Sequence, residues 1–178
     1  DMNQHRWAWD LDKIMKLKIS DSVVALLTKE IERLPSDLQY GLQVASCIGS
    51  CLADPILCCL SKDLGYDLTD ILRQVSQKGF MIEIASSTMF CFAHDKIQEA
   101  VYGLMSEEQR RDNHMRFGLA LCNHTLKNNA EDEELFFAAI NQINLGGSGS
   151  VHDPSLKNVI AELNLKAGRR SIDLSDYN

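Results

Sequence analysis

The chain lacks the short signatures that announce a self-contained catalyst. Its 178 residues hold no GxxxxGK[ST] loop to cradle a nucleotide, no HExxH metal pair and no GxSxG elbow. No apolar run approaches the roughly 20 residues of a membrane span, so no membrane partner is expected. The six cysteines (Cys47, Cys51, Cys58, Cys59, Cys91 and Cys122) lack the paired CxxC spacing of a zinc site. Most sit in apolar helical patterns, which predicts buried free thiols in a reducing, cytoplasmic setting. Basic charge is also scarce. Lys and Arg total 18 against 25 Asp and Glu, a net charge of −7. An acidic chain repels a polyanion unless a local basic face offsets it, which disfavours nucleic acid as a partner. With only three prolines, long helices go uninterrupted.

What is present is helical periodicity. Leu11, Ile14 and Leu17 form a short stripe behind Trp7 and Trp9. Val23, Leu27, Ile31 and Leu34 share a face, as do Leu38, Leu42, Ala45 and Ile48. Ser36 with Gln39 reads as a capping box, and Gly49 as a left-handed stop. Asp54 and Pro55 open a further helix that ends at Gly65. Leu68, Ile71, Leu72 and Val75 point inward on the next, before Gly79. Each proline (Pro35, Pro55 and Pro154) stands where a helix begins.

The period then drops to 2. Phe80, Ile82 and Ile84 alternate with Met81 and Glu83. Phe90 and Phe92 alternate with Met89, Cys91 and Ala93. Around the polar turn at 85–88 this predicts a β-hairpin, with Phe80 and Phe92 in the core. Three helices and a two-stranded wing flanked by helices describe a winged helix. Its expected core is Leu27, Ile31, Leu42, Leu57, Leu60, Leu72, Val75, Phe80 and Phe92.

Beyond the wing the pattern is helical again. Asp95 with Gln98, and Ser106 with Gln109, read as capping boxes. His114, Phe117 and Leu121 share one stripe, and Phe136, Ala139, Ile140 and Ile143 another. Asp153 and Pro154 start a last helix through Leu156, Val159, Ile160, Leu163 and Ala167. Helical hairpins in series suggest the start of a TPR-like α-solenoid. The expected fold is therefore mainly α. Residues 1–19 form a connecting arm, 20–105 a winged-helix domain and 106–178 a helical-hairpin region that continues past the last residue. The whole reads as a piece of a larger protein.

The stretches "WAWDLDKI", "LTKEIERLPSDLQYGLQVASCIG", "FAHDKIQEAVYGLMSEEQRRDNHMRFGLAL" and "AELNLKAGRRS" resemble the region that follows the ATPase module in large signalling proteins. Those proteins join a protein-kinase-like domain, an AAA-type (STAND class) ATPase, helical repeats and often a sensor histidine kinase. The resemblance implies a non-catalytic regulatory segment with no cofactor of its own. ATP or ADP with magnesium belongs to the ATPase domain, which is an intramolecular partner, and the repeats would bind other proteins. Relatives in that class carry a Met-His-Asp motif where the wing meets the next helix, and its histidine reaches the ADP β-phosphate. Here Ala93 replaces the Met, while His94 and Asp95 carry over as the implied nucleotide sensor.

Other candidate contacts are Trp7 and Trp9 for a partner surface, and Arg110 and Arg111 for a phosphate or protein. His114, on an apolar face, reads as a satisfied core histidine. Two other functions fit the pattern. One is a DNA-binding winged helix, reading through Arg73, Gln74, Gln77 and Lys78. The other is a plain helical interaction scaffold.

Overall fold

The computed structural model describes residues 19–84, 86–127, 133–147, 149, 151 and 153–174. The expected arm, with Trp7, Trp9 and the stripe Leu11, Ile14 and Leu17, lies outside them. The fold is mainly helical with one small antiparallel sheet. In chain order the elements are α1 (Ile19–Glu32), α2 (Ser36–Ile48), β1 (Cys51–Leu52), α3 (Asp54–Leu64), α4 (Leu68–Gln77), β2 (Met81–Ile84), β3 (Met89–Phe92), α5 (Asp95–Leu104), α6 (Glu107–Lys127), α7 (Glu133–Gly146) and α8 (Pro154–Leu174).

The sheet order is β1-β3-β2. The third strand, β1, carries only two residues, too few to show a period. The register corrects the expected face of β2. Met81 lies opposite Phe92 and Glu83 opposite Phe90. Directly opposed residues share a face, so Met81 joins Phe90 and Phe92 in the core and Ile82 turns outward beside Cys91. The outward face is where Ile82 stays half exposed. Glu83 meets Arg73 of α4 at the rim, with Arg73 Nη2 donating to Glu83 Oε1 at 3.1 Å. Among the expected core residues, Ile31, Leu42, Leu57, Leu60, Leu72, Val75 and Phe92 are buried, while Leu27 and Phe80 are partly so. Val23, expected on the same stripe as Ile31, is exposed.

The helix ends follow the expected chemistry in part. Ser106 and Gln109 form the capping box: the Ser106 amide donates to Gln109 Oε1 at 2.8 Å, and the Gln109 amide to Ser106 Oγ at 3.2 Å. Ser36 and Gln39 do not. Pro35 takes the cap position, and Gln39 Nε2 instead donates to the carbonyls of Leu34 at 2.8 Å and Glu32 at 3.1 Å. One side chain thus closes the end of α1 from the start of α2. Ala53, not Asp54, stands at the N-cap position of α3, with no side-chain hydrogen bond there. Gly65 is left-handed as expected, at φ 78°, whereas Gly49 is extended.

The α6–α7 hairpin is packed backbone to backbone. A Cβ on Gly118 would stand 2.6 Å from the Ile143 amide nitrogen, and one on Gly146 would stand 2.8 Å from that of Met115. His114, Phe117 and Leu121 of α6 meet Phe136, Ala139, Ile140 and Ile143 of α7 in the interior, as their spacing predicts. One apolar cluster runs from Ile31 to Ala167, through both helical regions and the inner face of the sheet.

Candidate functional site

β3 ends at Phe92 and α5 begins at Asp95, so the chain turns through Ala93 and His94. The Ala93 amide donates to the Phe80 carbonyl at 3.0 Å, which holds the corner against the start of β2. The cap assignment differs from the sequence expectation. His94 is the N-cap of α5, in extended backbone conformation, and its Nδ1 accepts from the Lys96 amide at 3.1 Å. Asp95 is the first helical residue. Its Oδ1 also accepts from the Lys96 amide, at 2.7 Å, and lies in contact with His94 Nδ1. No box forms with Gln98, whose Nε2 donates to the Ser46 carbonyl at 3.3 Å. Two acceptors converge on one amide because that donor is an orphan of the helix start.

Nδ1 is the inward nitrogen, set between the Lys96 amide and the Asp95 carboxylate. Where Nδ1 accepts from Lys96, the neutral ring carries its proton on Nε2; where Nδ1–H donates to Asp95, Nε2 of the neutral ring is a bare acceptor. The charged ring carries both protons. The imidazole is about two-thirds exposed, and Nε2 is the nitrogen left for an outside partner.

A pocket of about 410 Å³ adjoins this corner. One wall is the end of α2 (Ser46 to Gly49). The opposite wall is α5, through Asp95, Gln98, Glu99 and Tyr102. His114 and Leu145 close the floor. His114 is buried, and both ring nitrogens are bonded. Nδ1 lies 2.6 Å from Gln142 Oε1, and Nε2 lies 2.9 Å from the Tyr102 hydroxyl. Gln142 Nε2 donates to the Cys47 carbonyl at 3.0 Å. The amide oxygen of Gln142 can only accept, so Nδ1 donates to it and Tyr102 donates to Nε2. Burial also raises the Tyr102 pKa and keeps its hydroxyl protonated. His114 is thus the satisfied core histidine its stripe predicts. Gln142, which completes the chain to α2, carries no sequence signal beyond a polar residue on an apolar helix.

The remaining candidate residues are dispersed. Arg110 Nε donates to the Tyr102 carbonyl at 2.8 Å, and its guanidinium stacks 4.4 Å from the Tyr102 ring. Arg111 pairs with Glu107 one turn back along α6. Of the sequence-predicted residues, Asp95 lines the pocket, Arg110 touches it only through Tyr102, and Arg111 stays on the helix surface. Trp7 and Trp9 lie outside the described residues.

The cysteines divide. Cys47, Cys59 and Cys122 are buried free thiols, and burial pushes Cys47 up to about 12 and Cys59 to about 11. Cys58 is free and exposed. Cys51 and Cys91, expected as thiols, are instead joined in a disulfide. They stand opposite each other on β1 and β3, a pairing hidden in the sequence because β1 was not legible. Among the described residues no group of three or more His, Cys, Asp or Glu side chains could hold a metal ion. Nor, among them, is any helix long and apolar enough to cross a membrane.

No protein-family model matches the chain, and no solved structure matches it. It is 21% identical over 153 aligned residues to hybrid signal transduction histidine kinase G of Dictyostelium discoideum. The match covers 65% of this chain and 4% of that protein. The likeness is distant and hints at signal transduction. The chain spans a small part of that relative's length.

Proposed function

We propose that the chain is a non-catalytic regulatory module of a signalling protein, in which a winged helix reads the nucleotide state of an adjoining STAND-type ATPase domain. Helices α2 to α4 with the three strands form the winged helix in this reading. The helical hairpins from α6 onward are the first TPR-like repeats, and they pass the state to partner proteins. His94 is the sensor and Asp95 its positioning residue. The observation that carries the proposal is the outward Nε2 of His94, on a ring whose Nδ1 is held between the Lys96 amide and Asp95; in the charged ring it is an N–H donor. Such a donor suits a phosphate oxygen, and a contact that exists with one nucleotide and not another shifts a docking equilibrium. The distant kinase relative agrees with a signalling context.

A DNA-reading role is less well supplied. Of the four polar residues on the would-be recognition helix, Arg73 is held by Glu83 and Gln74 Nε2 donates to Asp70 at 2.9 Å. A scaffold role has one observation in its favour: α8 leaves Leu165 57% and Ile172 72% exposed. The test is ADP affinity of the full-length protein, measured by calorimetry, for wild type and His94→Ala. Loss of one charge-assisted hydrogen bond should weaken ADP about tenfold or more. Unchanged affinity in a folded variant would leave His94 a corner residue and the chain a scaffold.

A further inference from the structure

We propose that Cys51 and Cys91 are a reversible thiol–disulfide pair that sets the separation of the two pocket walls, exchanging with small-molecule thiols of the glutathione type. The proposal does not depend on what His94 meets.

Three observations carry it. The first is placement. Cys51 follows the α2 wall of the pocket by two residues, and Cys91 precedes His94 by three. The bond therefore joins the segment leaving one wall to the segment entering the other. The second is access. Cys51 is exposed and Cys91 half-buried, unlike Cys47, Cys59 and Cys122 in the core. The pair sits with Ile82 on the outer face of the sheet, where a thiolate can reach it. The third is the thinness of what else holds β1. The Phe92 amide donates to the Ser50 carbonyl at 2.9 Å, which makes the neighbouring Cys51–Cys91 pair a non-hydrogen-bonded one. Side chains come closest at such a pair, here with Cα atoms 4.0 Å apart. Once the sulfur bond opens, a two-residue strand keeps few backbone bonds and one fully buried side chain, Leu52.

The exchange is balanced. A thiolate attacks the exposed sulfur of Cys51, the Cys51–Cys91 bond breaks, and Cys91 leaves as a thiolate that takes a proton from water. A second thiolate attacks the sulfur of the first reductant in the mixed disulfide and frees Cys51. Two thiols are oxidised to one small disulfide, and the protein disulfide is reduced to two thiols.

The test equilibrates the intact chain in buffers of reduced and oxidised glutathione, alkylates it without denaturant, and maps the labels by mass spectrometry. Amide hydrogen exchange is followed at each poise. Cys51 and Cys91 should become labelled together while Cys47, Cys59 and Cys122 stay shielded and circular dichroism is unchanged. Exchange at the Phe92 amide and over residues 47–50 should then rise about tenfold or more, the signature of a local opening. A Cys51→Ser/Cys91→Ser double variant should show the fast pattern at every poise. The proposal is overturned if the bond yields only as the whole chain unfolds, if it never forms in oxidised glutathione, or if it opens without changing exchange around the pocket.

Discussion

The cysteine and tyrosine side chains show how burial can outweigh neighbouring charges in setting chemistry at the scale of one residue. Cys47 and Cys59 lie among apolar neighbours, and burial raises them from their ordinary 9.0 to about 12 and about 11. Tyr66 rises from 10.0 to about 12 for the same reason. A thiolate in that setting would lose more in hydration than Arg110 and Asn113 return to Cys47, or Lys62 to Cys59, so these thiols stay protonated at neutral pH. The sign of the pH effect follows. The folded state holds these protons more tightly than the unfolded chain. Their contribution is fully present below about pH 9 and is lost as pH rises through the folded values. The denaturant midpoint should therefore fall between pH 9 and 12. The fall should be shallower in Cys47→Ala, measured in a Cys58→Ser background so that the exposed free thiol cannot attack the disulfide. An equal fall in both backgrounds would assign the alkaline loss to other groups.

At the scale of elements, one polar line ties four helices. Tyr102 of α5 donates to His114 of α6, His114 donates to Gln142 of α7, and Gln142 donates to the end of α2. Removing one member takes a hydrogen-bond partner from each neighbour in the line. Gln142→Leu leaves the His114 Nδ1–H and the Cys47 carbonyl unpaired and should cost about 2–4 kcal/mol in urea denaturation. His114→Leu should cost a similar amount, and the double variant less than the sum, because it removes donor and acceptor together. Additive losses would show that the two side chains act separately. Much of this architecture was legible in the sequence. Apolar stripes placed α2 to α7, and Phe117, Leu121, Phe136 and Ile143 were found in the core where their spacing put them. Among the features that were misread, three have a clear physical reason. A two-residue strand carries no period, so β1 and its disulfide were hidden. The face of β2 was misread because Ile82 is more apolar than Met81, while register to Phe90 and Phe92 decides the face. Asp95 has the usual cap chemistry, yet the corner bends one residue earlier and gives the cap to His94. That shift matters for the site, since it holds Nδ1 inward and leaves Nε2 outward.

For the whole molecule, the question is whether the proposed nucleotide signal would stop at the junction between α5 and α6. The core argues against a stop. Phe117 and Leu121 of α6 belong to the same apolar cluster as Leu57 and Leu60 of α3, and the thiol of Cys59 reaches the Ala120 carbonyl at 3.5 Å. Arg116 Nε donates to Asp63 at 3.1 Å across the same boundary. Gln142 of α7 bonds the end of α2. A strain applied at His94 would thus meet a packed body that continues into the helical hairpins, and interiors of that density transmit displacement instead of absorbing it. The expected outcome is one cooperative transition. Urea unfolding followed by far-ultraviolet dichroism and by tyrosine fluorescence should give coincident curves with a single midpoint. Cutting the chain after residue 105 should leave a product that exposes Leu57, Leu60 and Cys59 and unfolds at lower urea. Two separated transitions, or a residue 20–105 piece as stable as the intact chain, would instead make the junction a hinge between independent domains, and the signal would then have to cross it through a moving interface.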